Sequence, residues 1–167
     1  MSVAVTNSQR TRKINLRLLK KITGTLLMEL EVEAAELAIC LVDEAEMTRI
    51  NETFLRHGGS TDVITFDYTD SDSARPADSV HRVTCPAIQG EIFVCVDEAV
   101  AQARKFDTNW QSEVARYIVH GVLHLTGHND HRPAARKKMK REENRLLAGL
   151  SLRFSLAQLS RPARISA

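Results

Sequence analysis

The sequence predicts an α+β fold, a small mixed β-sheet of about four strands covered by helices, with a metal site carried on one helix as a His-x-x-x-His pair. Three observations predict it. Apolar runs of strand-like composition at residues 37–42, 61–68 and 91–96 are too short for helices and are bounded by turn or capping residues. They alternate with longer stretches in which apolar side chains recur at helical spacing. The segment 120–131 reads His-Gly-Val-Leu-His-Leu-Thr-Gly-His-Asn-Asp-His, placing four of the chain's six histidines and an aspartate on and just after one such stretch.

The elements follow in order. Residues 14–30 carry Leu16, Leu19, Leu26, Leu27 and Leu30 among basic and polar positions, which predicts a first helix with Gly24 as its weak point. Leu37, Ile39 and Leu41 alternate with Ala38, Cys40 and Val42 in a strand buried on at least one side. Asp43 caps the next helix and Glu46 stands at its third position, a capping-box pattern ahead of Met47, Ile50 and Phe54, with an end near Arg56. His57-Gly58-Gly59-Ser60 is turn chemistry, and residues 61–68 form a strand through Val63, Ile64 and Phe66. Residues 69–89 are polar, contain Pro76 and Pro86 and lack periodicity, so a long mobile loop is expected.

Residues 91–96 (Glu-Ile-Phe-Val-Cys-Val) form the clearest strand, and Asp97 is expected to cap a helix running towards Lys105. Thr108-x-x-Gln111 is a capping-box candidate for a helix whose core stripe is Val114, Tyr117, Ile118, Val122 and Leu125. That helix carries His120 and His124. Pro133 suits the first turn of a basic helix with Arg136, Lys137, Lys138, Lys140, Arg141 and Arg145, and with Met139, Leu146 and Leu147 on its apolar side. One domain over residues 1–150 is expected, then a helical stub and tail over 151–167.

At 167 residues, 43% hydrophobic and 26% charged, the chain can bury one core of its own. A net charge of +2 offers no general argument for nucleic acid or membrane, although it leaves room for a local basic groove. Cys40, Cys85 and Cys95 are odd in number and share no C-x-x-C spacing, which disfavours a disulfide framework or a cysteine zinc site and suggests a reducing, cytoplasmic setting. The apolar runs fall short of the roughly 20 residues that span a bilayer, and the start lacks the basic-then-apolar order of a signal peptide. No membrane association is expected.

His120 and His124 are four apart, so on a helix they share a face one turn apart and can aim nitrogens at a single ion. Gly127 tolerates the left-handed conformation that ends a helix, and the following turn can return a third ligand from residues 129–131. Two helical ligands and one returning ligand leave a coordination position open, as in catalytic zinc sites. Gly121 stands where the H-E-x-x-H motif of zinc peptidases has its glutamate, so that general base is missing; close helix packing is the structural reading of the same glycine. The basic run 136–145 is interspersed with Glu142 and Glu143 and reads more readily as a charged solvent face than as a phosphate-binding surface. Trp110, Phe106 and Tyr117 have the chemistry to stack bases, but their positions read as core.

Three blocks carry a family resemblance: residues 50–56 with 60–67 (Ile-Asn-Glu-Thr-Phe-Leu-Arg and Ser-Thr-Asp-Val-Ile-Thr-Phe-Asp), 90–95 (Gly-Glu-Ile-Phe-Val-Cys), and 120–127 (His-Gly-Val-Leu-His-Leu-Thr-Gly). In order and spacing over most of residues 35–147 they resemble the YbeY family, bacterial rRNA maturation factors described as single-strand-specific endoribonucleases. The resemblance implies a metal-dependent hydrolase domain with one Zn2+, acting in 16S rRNA 3′-end maturation and ribosome quality control. Zinc there activates water or polarises the phosphoryl group. It further implies catalytic roles for His120 and Arg56, RNA contacts by Arg56 and His57, and single-stranded rRNA as substrate. Ribosomal or small-subunit proteins and a GTPase are the implied partners. The chain departs from the family pattern twice. The position of the third family histidine, ten after the first, is Asp130 on an ungapped reading, whereas a gap of one makes it His131; His128 falls at the family's tyrosine position. The family arginine follows an aromatic directly, whereas here Leu55 intervenes before Arg56. The competing readings are an assembly factor with a structural zinc closed by His120, His124, Asp130 and His131, and a peptidase-like zinc hydrolase.

Overall fold

In the computed structural model, which describes residues 1–69 and 87–160, the chain runs β1 (Ser2–Asn7), α1 (Leu16–Glu29), β2 (Ala34–Val42), α2 (Glu44–Ile50), β3 (Val63–Asp67), β4 (Ala87–Cys95), α3 (Val96–Lys105), α4 (Trp110–Leu125) and α5 (Pro133–Arg153). The strands form one mixed sheet in the order β1-β2-β4-β3, parallel except for β3, which runs antiparallel to β4. The expected α+β class and strand number agree with this sheet.

Alternation in the strands decides which face is packed. Leu37, Ile39 and Leu41 of β2 and Ile92 and Val94 of β4 lie on one face. They are buried in a single cluster with Leu19, Ile22 and Leu26 of α1 and Ile118, Val122 and Leu125 of α4. A smaller cluster of Val42, Met47, Ile50, Ile64 and Cys95 forms where α2 covers one end of the opposite face. β1 was not anticipated from sequence. It pairs Val3 with Leu37 and Val5 with Ile39 at the sheet edge, and only Val3 of its side chains is buried.

Local chemistry sets the helix starts. Asp43 accepts from the Glu46 amide at 2.9 Å as the capping box requires, but the Glu46 carboxylate turns away to Ser8 and Arg49. α2 passes into a single π-helical turn, Asn51–Leu55, closed by Arg56 in the left-handed region at φ 54°. Two expected caps are corrected. α3 begins at Val96, and Asp97 inside it accepts instead from the Glu44 amide at 2.7 Å and from the Thr11 hydroxyl. α4 is capped by Asn109, which accepts from the Ser112 amide at 2.9 Å, while the Thr108 hydroxyl donates to Glu113.

Residues 70–86 of the expected loop lie outside the described residues, and residues 87–89 belong to β4. α5 continues through Gly149 to Arg153. A 3-10 turn follows, Leu156–Leu159, with Leu156 and Leu159 buried in the main cluster. Packing against the main cluster thus continues past residue 150. Among the described residues no helix is long and apolar enough to cross a membrane.

Candidate metal centre

α4 supplies the first two residues of the site because it lies unusually close to the sheet. A Cβ placed on Gly121 would sit 2.8 and 2.9 Å from side-chain carbons of Ile92 in β4. Only glycine allows that approach without displacement, so the packing role read for Gly121 is the one it plays. The helix ends in a Schellman arrangement. The His128 amide donates to the Leu123 carbonyl at 3.0 Å, the Gly127 amide donates to the His124 carbonyl at 3.0 Å, and Gly127 is left-handed at φ 95°. This reversal brings Asp130 back beside the helix. One ligand atom each from His120, His124 and Asp130 lie within 4.8 Å of one another. His131 is exposed and outside this group.

The hydrogen bonds orient both rings. His120 Nδ1 lies 3.0 Å from Glu143 Oε2, and His124 Nδ1 lies 3.1 Å from the His128 carbonyl oxygen. Both partners are acceptors, so each ring carries its proton on Nδ1. The two Nε2 atoms, 3.1 Å apart, then present lone pairs to one another. A cation between them relieves that repulsion, and two imidazole nitrogens oriented by acceptors on their far side are the usual provision for a metal. Burial and the neighbouring His120 push the His124 pKa down, which favours the neutral ring that ligation needs. The donor set of two imidazoles and a carboxylate fits a divalent transition metal.

Glu143 was read from sequence as part of a solvated face, and the structure corrects this: it is 3% exposed. Its Oε1 accepts from Arg116 at 2.7 Å and Lys140 at 2.8 Å, while Oε2 meets His120. Burial by itself raises its pKa, but the bonds from His120, Lys140 and Arg116 outweigh burial and hold it at about 2. Two spacings in the sequence point to these residues. Met139, Glu143, Leu146 and Leu150 follow one helical stripe, and Arg116, His120 and His124 follow another.

A cavity of about 260 Å³ opens on the site, its wall including Asp62, Arg116, His120, Asp130, Arg136 and Lys140. Tyr117 also lines it, with its hydroxyl buried and unpartnered among the described residues. Arg56 and His57 are exposed and are not part of the wall. Trp110 packs against the main cluster as expected, whereas Phe106 is 62% exposed.

Comparison with known proteins gives the chain's family and fold. A family model described as Endoribonuclease YbeY matches residues 4–151. The chain belongs to the YbeY family. A relative named Endoribonuclease YbeY from Chlorobium luteolum is 30% identical over 150 residues, covering 90% of this chain and 98% of that protein. Another of that name from Salinibacter ruber is 36% identical over 111 residues, 66% of this chain and 68% of that one. One from Myxococcus xanthus is 32% identical over 148 residues, and there the chain spans about half of its relative, 48%. The solution structure of TM1509 from Thermotoga maritima has the same fold, with a TM-score of 0.63 at 20% identity and 99% coverage of both chains. The YbeY match takes in α4, the returning turn and α5 as far as Ser151, so the whole constellation lies within the family region.

Proposed function

We propose that this YbeY-family chain is a zinc-dependent endoribonuclease that cleaves single-stranded rRNA. The observation that carries the metal reading is the pair of Nε2 lone pairs 3.1 Å apart, each set by an acceptor behind its ring. His120, His124 and Asp130 hold the ion. When bound, zinc supplies Lewis acidity towards a phosphoryl oxygen and an acidified water. Three protein ligands with His131 outside the group favour an open coordination position over a closed structural site. Gly121 in place of a glutamate argues against peptide hydrolysis.

The other residues position and transfer. Glu143 holds the His120 ring through Nδ1. Asp62 is the cavity carboxylate that, among the described residues, neither joins the triad nor pairs with a cation, and it is the group proposed to accept a proton at its carboxylate oxygen. Arg56 and His57, lying outside the wall, are proposed to contact flanking RNA rather than the reacting phosphate. The biological setting proposed is 16S rRNA 3′-end maturation and ribosome quality control in the cytoplasm, alongside small-subunit proteins and a GTPase.

The test is metal analysis joined to cleavage of single-stranded rRNA fragments. Purified protein is expected to hold close to one zinc per chain. His120→Ala, His124→Ala and Asp130→Ala are expected to lose zinc and cleavage together, and His131→Ala to keep both. Metal-free protein of normal stability would refute the site. Cleavage that survives loss of the metal would leave the ion a structural role only.

A further inference from the structure

Among the described residues three cationic side chains line the cavity beside the triad, and they are differently committed. Arg116 donates to Glu143 Oε1 and Asn144 Oδ1, at 2.7 and 2.9 Å. Lys140 donates to Glu143 Oε1 at 2.8 Å, so both cations are drawn to one buried carboxylate. Arg136 differs. Its Nε donates to the backbone carbonyl of Asp130 at 3.2 Å, and its two terminal nitrogens meet no acceptor among the described residues. A single Nε bond to the residue that also supplies the third ligand holds the guanidinium at the cavity wall with the outer edge of its fork unpaired. A planar fork of free N–H donors suits paired phosphate oxygens.

We propose that Arg136 is the phosphate-gripping residue of this site, donating its terminal N–H groups to the non-bridging oxygens of an RNA phosphodiester lying against the triad. This rests on the endoribonuclease reading above and assigns to α5 the phosphate contact that the family resemblance gave to Arg56. Arg136 is exposed, so it can be replaced without opening the core, and its neighbour Lys137 is exposed and off the cavity wall.

The experiment compares the zinc-loaded full chain with Arg136→Ala, Arg136→Lys and Lys137→Ala. It measures zinc affinity, cleavage of a single-stranded RNA, and the salt dependence of binding to an uncleavable single-stranded oligonucleotide of the same sequence. Each single-strand phosphate contact contributes about 0.7 to the slope of log affinity against log salt. Arg136→Ala is expected to lower the slope by about that amount and to slow cleavage roughly tenfold or more, with zinc affinity unchanged. Arg136→Lys recovers the slope but only part of the rate, because a point charge lacks the fork. Lys137→Ala behaves as the parent. A parent-like slope in Arg136→Ala overturns the proposal, and so does a zinc affinity that falls in step with the rate, which would make Arg136 a clamp on Asp130. If the parent cleaves no RNA while Arg136→Ala still lowers the slope, the phosphate contact stands and the cleavage reading falls. If the parent cleaves and Arg136→Ala matches it in slope and rate, the reverse holds.

Discussion

A carboxylate only 3% exposed must meet donors, and Glu143 meets three: His120, Arg116 and Lys140. Glu143→Gln keeps the shape but turns a neutral amide towards two cations, and it weakens the acceptor behind the His120 ring. Zinc affinity is expected to fall about 10–100-fold, the usual cost of losing a partner that orients a ligand, measured by competition with a chromophoric chelator. Unchanged affinity would mean that packing alone orients the ring. The residues that sequence reveals most easily are those whose role is declared by spacing. His120 and His124 are four apart, and Asp130 stands just past the Gly127 stop. Glu143 was hidden because a glutamate among lysines and arginines has the composition of a wet surface; its partners Arg116 and His120 stand on a different helix. Arg56 was favoured for its neighbourhood in the family pattern, yet it closes the π-helical turn with its side chain in solvent.

At the scale of elements, α4 decides the site, because its distance from β4 sets where both histidines stand. Gly121→Ala gains helix propensity of about 1 kcal/mol but drives a methyl into Ile92, and overpacking of this kind costs about 1–3 kcal/mol. A net loss of about 1 kcal/mol in denaturant unfolding is expected, with a larger loss for Gly121→Val. Ile92→Ala is expected to offset part of the clash, so the double variant should be more stable than the sum of the single changes implies. Additive losses would show that the contact is not the cause. Helices and central strands were legible because their apolar periods are long. The caps at Asp97 and Thr108 were not, since Asp, Thr and Asn are interchangeable locally and tertiary bonds chose among them: Asp97 is drawn to Glu44 and Thr11. β1 was invisible for a related reason. A short edge strand with one buried side chain has too brief an alternation to read.

For the whole molecule, the layer class follows from local pattern, but the strand order β1-β2-β4-β3 depends on pairings between distant segments that no window of sequence contains. Stability against pH is also a property of the whole. In chelator-treated protein, His124 has its pKa lowered from 6.5, so below pH 6.5 the unfolded chain binds more protons than the folded one and stability declines. Glu143, held at about 2 against an ordinary 4.5, adds a second decline as pH falls from 4.5 towards 2. Thermal melts across this range are expected to fall in these two windows, and a flat profile between pH 7 and 5 would exclude the His124 contribution. Zinc should raise stability at neutral pH and steepen the first decline, because ligated rings take no proton while the unfolded chain's histidines do. α5 joins these events to the rest of the chain. Its middle meets His120 of the triad through Glu143, and Arg145 and Arg153 further along meet Glu29 of α1 at 3.5 and 3.2 Å. A helix tied through its buried carboxylate to a ligand ring is steadied when an ion fixes that ring and loosened when the ion leaves, and a loosened helix is what proteases cut. Metal starvation should therefore shorten this protein's lifetime in the cell as well as silence it, so that chains without zinc are cleared rather than left to occupy RNA unproductively.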